Sequence, residues 1–167
     1  MIPVIEKKDG EWEFLVDGKP FIMLAGELHN SSSSDIRYME ERVWPYLREL
    51  HLNSVLLSVA WEMIEPEEGR FDFSVVNEII GQAKRERIKL GILWFGLWKN
   101  GISSFVPEWV KMNPDRFWRI RDRYGKVLDA VSPLGKEAVQ ADAKAFAALM
   151  ENIKQADGED HTVILVQ

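Results

Sequence analysis

Two kinds of hydrophobic pattern alternate along the chain. A continuous apolar run occupies residues 21–25, and largely apolar runs occupy 54–59, 90–95 and 162–166. Such runs suit strands buried on both faces, as in a parallel sheet. Between them, apolar residues recur at helical spacing. The first stripe is Ile36, Met39, Val43, Leu47 and Leu50, and the second is Val76, Ile79, Ile80 and Ala83, with Ser74 as its cap. The third is Val139, Ala143, Phe146, Met150 and Ile153, ended by Asp157-Gly158. The serines at 31–34 are expected to cap the first helix. Pro45 lies inside that helix; it has no N–H and crowds the carbonyl four residues back, so it predicts a kink or a restart.

Ahead of these units, residues 11–16 read as a strand and Asp17-Gly18 as a hairpin turn. Residues 96–136 form a long segment rich in Gly, Pro and aromatics. It predicts a short helix at 108–112 and a small hairpin around Tyr124-Gly125. Long loops of this kind in compact domains usually carry function. The order is a hairpin followed by β-α-β-α-β-loop-α-β, which makes a parallel sheet with helices outside. A doubly wound sheet would place a Gly-rich phosphate turn after its first strand; here that turn is Gly26-Glu27-Leu28-His29-Asn30. A (β/α)8 TIM barrel needs roughly 250 residues. The expected fold class is therefore α/β: residues 1–20 a β-hairpin, and residues 21–167 the N-terminal half of a barrel, about four βα units.

Composition narrows the function classes. The 167 residues carry 21 basic and 27 acidic side chains, a net charge of -6, which argues against nucleic acid as a partner. There is no Cys, so thiolate chemistry and disulfides are excluded. The three His are far apart in sequence, and neither metal-ligand spacing nor a cofactor motif is present. No run approaches the roughly 20 apolar residues of a membrane span. The first six residues lack a signal-peptide core, so the reading is a soluble chain, with the cytoplasm favoured and the compartment left open.

Barrel function collects at the C-terminal strand ends. Those positions hold Glu27, His29 and Asn30 after the first strand, and Trp61, Glu62 and Glu65 after the second. After the third come Trp94, Trp98, Lys99 and Asn100. A sugar site needs this mixture of hydrogen-bonding groups and flat rings. Trp61 serves equally well as packing, and Glu65-Pro66 with residues 69–73 reads as a structural loop. Lys99 and Asn100 are the better sugar contacts. Of Trp94, Trp98, Trp109 and Trp118, one or two make a typical pocket. His51 and His161 read as structural or solvated.

The motifs carry a resemblance. Residues 14–21 followed by Gly26-Glu27-Leu28-His29 resemble the opening of glycoside hydrolase family 35. Asn53-Ser54-Val55, then Trp61, Glu65-Pro66, Gly69 and Phe71-Asp72-Phe73, resemble that family's strand-two pattern. Pro107-Glu108-Trp109-Val110 is similar to its element after strand three, so the likeness runs from about residue 14 to 167. It implies a retaining, β-galactosidase-like exo-glycosidase acting on an oligosaccharide or glycoside, with no cofactor. Substrate contacts are implied at Glu27, His29, Asn30, Trp61, Glu62, Trp94, Trp98, Lys99 and Asn100. Several of these depart from the family pattern. Asn30 stands where the family has an aromatic, Glu62-Met63-Ile64 where it has Asn-x-His, Trp94 where it has Arg, and Trp98-Lys99-Asn100 where it has an acidic stretch. The alternative substrate is accordingly another β-linked sugar. The resemblance puts the acid/base Glu just past Gln167 and the nucleophile further on, so no catalytic residue is expected within 1–167. A non-catalytic carbohydrate-binding or assembly half-barrel is the alternative function. Open barrel edges then predict a homo-oligomer.

Overall fold

A computed structural model describes residues 1–100 and 103–167, so residues 101 and 102 of the predicted long loop lie outside the described residues. The described chain divides into two interleaved compact units. One comprises residues 1–58, 74–93 and 153–167, and the other residues 59–73 and 94–152.

The first unit opens with strands β1 (Val4–Lys8), β2 (Glu11–Val16) and β3 (Lys19–Pro20), paired antiparallel in that order. The sequence reading contained only the turn at 17–18 and missed β1. Asp9-Gly10 makes a second turn of the same kind: Asp9 and Gly10 have φ of 52° and 96°, Asp17 and Gly18 of 52° and 75°. Both central residues are left-handed, as a two-residue hairpin matched to strand twist requires. Pro20 sits on an edge strand, where a missing N–H costs no ladder bond.

The chain then alternates. Strand β4 (Ala25–Glu27) leads through a 3-10 turn to α1 (Ile36–Tyr38), a π turn (Met39–Val43) and α2 (Trp44–Glu49). Strand β5 (Ser54–Ala60), the short helix α3 (Trp61–Ile64), α4 (Ser74–Glu86) and β6 (Lys89–Phe95) come next. After β6 come α5 (Glu108–Lys111), the antiparallel pair β7 (Arg119–Arg121) and β8 (Val127–Val131), the long α6 (Lys136–Asp157) and β9 (Val163–Val166). The main sheet has the order β4-β5-β6-β9, and β4 with β5 and β6 with β9 run parallel. This is the predicted mixed α/β architecture with a parallel sheet of β/α units. Among the described residues the sheet does not close on itself.

The parallel strands are apolar because both faces are covered. Val55, Leu57, Leu90 and Ile92 are buried, as are Val76, Ile79, Ile80 and Ala83 on α4. Helices α1 and α2 contribute through Met39, Val43, Trp44 and Leu47 around the π turn. The indole N–H of Trp44 donates to Gln82 Oε1 at 2.8 Å.

Three local expectations need correction. The strand expected at 21–25 forms only from Ala25, and Ile22 and Leu24 are exposed. The Asn53 side chain replaces the ladder there: Leu24 N–H donates to Asn53 Oδ1 (2.9 Å), and Asn53 Nδ2 donates to Ile22 O (2.8 Å). A carboxamide carries both a donor and an acceptor, so it satisfies the backbone without a partner strand. The first helix is capped by Asp35, not by a serine. Asp35 Oδ1 accepts from the backbone N–H groups of Arg37 and Tyr38 at 2.9 and 3.0 Å. The restart expected at Pro45 is seen: α2 begins at Trp44 with the proline in its first turn, and a π turn precedes it, with Trp44 N–H reaching back to Met39 O. Finally, the buried stripe of α6 is Ala138, Ala145 and Leu149, whereas Val139 and Ala143 are exposed. The inward face is thus turned toward Ala138, Ala145 and Leu149, with Phe146, Met150 and Ile153 half-buried beside it.

No described helix is long and apolar enough to cross a membrane. His161, expected to be structural or solvated, has φ of 47° and places Nδ1 2.8 Å from Asp17 Oδ1. Lys89 Nζ lies 3.5 Å from the same carboxylate and the Met1 amino group 3.8 Å. The hydrogen bond with His161, and then the Lys89 charge, lower the Asp17 pKa below the usual 3.8. A depressed carboxylate pKa gives stability that is present above its unfolded value and lost as pH falls through the folded one. Asp17→Asn should therefore lower stability slightly at neutral pH, leave it nearly unchanged at acid pH where Asp17 is protonated, and so flatten the loss on acidification. The effect is small because the side chain is half exposed. Urea midpoints at pH 3 and 7 check it, and parallel losses in both proteins would refute it.

Candidate functional site

The sequence-predicted site residues fall into two groups, one in each unit. In the first unit, Glu27, His29 and Asn30 follow β4. Together with Ser31, Ser32, Asp35 and Tyr38 they line an open depression of about 860 Å³. Register with β5 aims this strand end: Glu27 pairs with Leu56, and Leu28 N–H donates to Leu56 O at 2.9 Å. Two buried serines shape the turn beyond it. Ser58 Oγ donates to Asn30 O and Ser33 Oγ to Ser58 O, each at 2.5 Å. Ser32 N–H closes the turn onto His29 O at 3.0 Å. Glu27, His29, Asn30, Asp35 and Tyr38 all keep exposed side chains. The depression thus offers carboxylates, an imidazole, a carboxamide and a phenol. Sequence reading missed Ser33, Ser58 and Tyr38; a hydroxyl inside the buried run 54–59 was the available signal.

The second group lies in the other unit, and its members differ in role. Trp61 is fully buried. Its indole N–H donates to Glu65 Oε2 at 2.7 Å, and its ring meets Trp109 edge-on at 5.7 Å. Packing takes up its faces. Glu62 holds Lys111 Nζ at 2.6 Å, while its own backbone N–H donates to Phe105 O. Trp98 is exposed, and Lys99 Nζ lies 4.3 Å above the Phe95 ring. Asn100 Oδ1 accepts from Ser103 N at 2.8 Å. Trp94 leans on Phe146 of α6, with ring centroids 5.9 Å apart, and its N–H donates to Asp142 Oδ1 at 2.8 Å. Burial raises the Asp142 pKa, against the opposing hydrogen bonds from Trp94 and Leu97.

Glu65 explains the loop between α3 and α4. This buried carboxylate accepts from Trp61 Nε1 through one oxygen and from Gly69 N–H through the other, both at 2.7 Å. Its backbone carbonyl accepts from Trp109 Nε1 at 3.0 Å. Gly69 has φ of 79°, where an L side chain would be strained. The pattern of Trp61, Glu65, Gly69 and the stacked Phe71 and Phe73 is thus an internally bonded loop, in line with a structural role for residues 65–73.

Residues 13–86 of the chain, which build the first depression and this loop, match the family model described as Glycosyl hydrolases family 35. A beta-galactosidase of Xanthomonas manihotis is 36% identical to the chain over 72 residues, which are 43% of this chain and 12% of that protein. The chain therefore spans a small part of the length of the curated relative it matches. The matched residues end before Trp94, so the likeness after β6 rests on the Pro107-Glu108-Trp109-Val110 element alone.

Proposed function

We propose that the chain is the first half of a (β/α)8 barrel in a retaining, β-galactosidase-like exo-glycosidase, and that its part is to hold the terminal sugar. The carrying observation is the family match, which takes in every residue lining the depression after β4. Strand order supports the reading. The parallel strands lie in chain order without reversal, as in a barrel, whereas a doubly wound sheet reverses at a switch point. The outer strands also leave apolar side chains open, Ile22 and Leu24 beside β4 and Leu165 and Val166 on β9, where a barrel would add neighbours.

On this reading Glu27, His29 and Asn30 bond sugar hydroxyls, and within the other unit Glu62, Trp98, Lys99 and Asn100 are the proposed glycoside contacts. Trp61 and Trp94 act as packing within that unit. The acid/base carboxylate and the nucleophile, about 5–5.5 Å apart in retaining enzymes, lie outside residues 1–167. The chemistry is double displacement: one carboxylic acid protonates the leaving oxygen while the other carboxylate attacks the anomeric carbon.

The test is an aryl glycoside panel on the protein from the complete reading frame, with product anomers followed by NMR. Hydrolysis of a β-galactoside with retention is expected, and no turnover by the 167-residue polypeptide. Retention on another β-linked sugar would keep the mechanism and change the substrate. A complete protein that binds sugars without turnover would overturn the enzyme reading in favour of a carbohydrate-binding protein.

A further inference from the structure

Asp142 interrupts the inward stripe of α6. Ala138, Asp142, Ala145 and Leu149 follow helical spacing, and the three apolar members are fully buried. An acid in that register is costly unless its oxygens are used. Here both are. Oδ1 accepts from the Trp94 indole N–H at 2.8 Å, and Oδ2 from the Leu97 backbone N–H at 3.1 Å. The two donors bracket Gly96. A Cβ at Gly96 would lie 2.2 Å from Asp142 Oδ1 and 2.3 Å from Trp94 Nε1. The space that the hydrogen bond occupies thus exists because residue 96 has no side chain. One helical turn on, Phe146 supports the Trp94 ring. Three sequence choices serve one arrangement: an indole at 94, no side chain at 96 and a carboxylate at 142.

We propose that Asp142 is a positioning residue, a two-armed clamp that fixes the chain as it leaves β6. It thereby sets the direction in which Trp98, Lys99 and Asn100 are presented to a glycoside. That these residues face a glycoside rests on the function proposed above; the clamp itself does not. Asp142 touches no substrate in this assignment. The family match stops at Glu86, so all three members of the arrangement lie beyond it.

The experiment is hydrogen exchange by NMR on the 167-residue chain labelled with 15N, comparing wild type with Asp142→Asn, Gly96→Ala and Trp94→Phe. Asparagine keeps the volume but turns an amide N–H toward one of the two donors. Gly96→Ala attacks the same bond from the other side. In Asp142→Asn and Gly96→Ala, exchange at the Leu97 amide and the Trp94 indole should speed up by roughly tenfold or more, the Boltzmann factor of one lost charge-assisted hydrogen bond. The Trp98 indole resonance should move in both. The core amides of β5 should keep their protection. Trp94→Phe keeps a ring against Phe146 but removes the indole donor, and should speed Leu97 exchange in the same direction. Its effect combined with Asp142→Asn should be less than additive.

Unchanged Leu97 exchange in all three variants would overturn the clamp. Uniform loosening of β5 along with the loop would also overturn it, by making Asp142 a general fold support. In the complete protein, Asp142→Asn should raise KM for a β-glycoside several-fold more than it lowers kcat; an unchanged KM would refute sugar positioning. A wild-type complete protein without glycoside turnover would sink the proposed function, while the exchange comparison would still decide the clamp.

Discussion

Glu65→Ala should destabilise the protein by about 3–5 kcal/mol. The substitution leaves the Trp61 indole N–H and the Gly69 amide without an acceptor, in surroundings where Trp61 and Glu65 are almost entirely shielded from solvent. An orphaned buried donor costs about 1–3 kcal/mol, and bonds to a charged acceptor sit at the upper end. Glu65→Gln keeps one carbonyl oxygen but sets an amide N–H against the other donor, so roughly half the loss is expected on the same grounds. Urea unfolding checks both, with an unchanged slope showing that stability alone has moved. If Glu65→Ala stays within about 1 kcal/mol of wild type, the loop is held by something other than this carboxylate, since a lost buried acceptor alone exceeds that. The loss concerns the arrangement of Trp61, Glu65 and Gly69 as a folding device.

Trp44→Ala should cost a similar amount, about 3–5 kcal/mol, but for a different reason. Trp44 is among the largest fully buried side chains, and its removal leaves a cavity that the surrounding helices fill only in part. Trp44→Phe separates the causes. The phenyl ring fills most of the space, so what remains is Gln82 Oε1 without its donor, about 1–3 kcal/mol. Gln82 also donates to Ile36 O at 3.2 Å, which keeps its amide fixed and unable to turn the orphaned oxygen toward water. Denaturant midpoints of the two variants should therefore differ clearly. Equal losses would mean that the hydrogen bond, and not the ring volume, holds α2 to α4.

The fold was legible wherever burial was the same on both faces of a strand. Residues 54–59 and 90–95 read as parallel strands and are β5 and β6. It was less legible where a polar side chain did the work of backbone pairing. Asn53 shortened β4, and Asp35 displaced the serines as the cap; neither competitor announces itself in a hydrophobic pattern. The α6 stripe was misread in phase: its inward face turns toward Ala138, Ala145 and Leu149, with Phe146, Met150 and Ile153 half-buried beside it. Of the site, the strand-end positions after β4 were legible and line one depression together. The tryptophans were not: Trp61 and Trp94 spend their N–H groups on Glu65 and Asp142, and sequence spacing alone does not say which way an indole faces. Asp142 itself was legible only once the correct stripe was known, as an acid in an apolar register.

The π turn at Met39–Val43 has an evolutionary reading. It holds one residue more than an α-helix of the same span would, ahead of a proline that cannot donate to the carbonyl four residues back. Insertion and proline thus form a matched pair. The extra residue supplies the slack that the missing N–H demands, and each change alone would put Trp44 and Leu47 out of phase with Met39. A lineage that lost Pro45 would be free to delete one of the exposed residues Glu40, Glu41 or Arg42, restoring an unbroken α-helix without moving the buried face. The length of this segment among relatives should therefore vary together with the residue at 45.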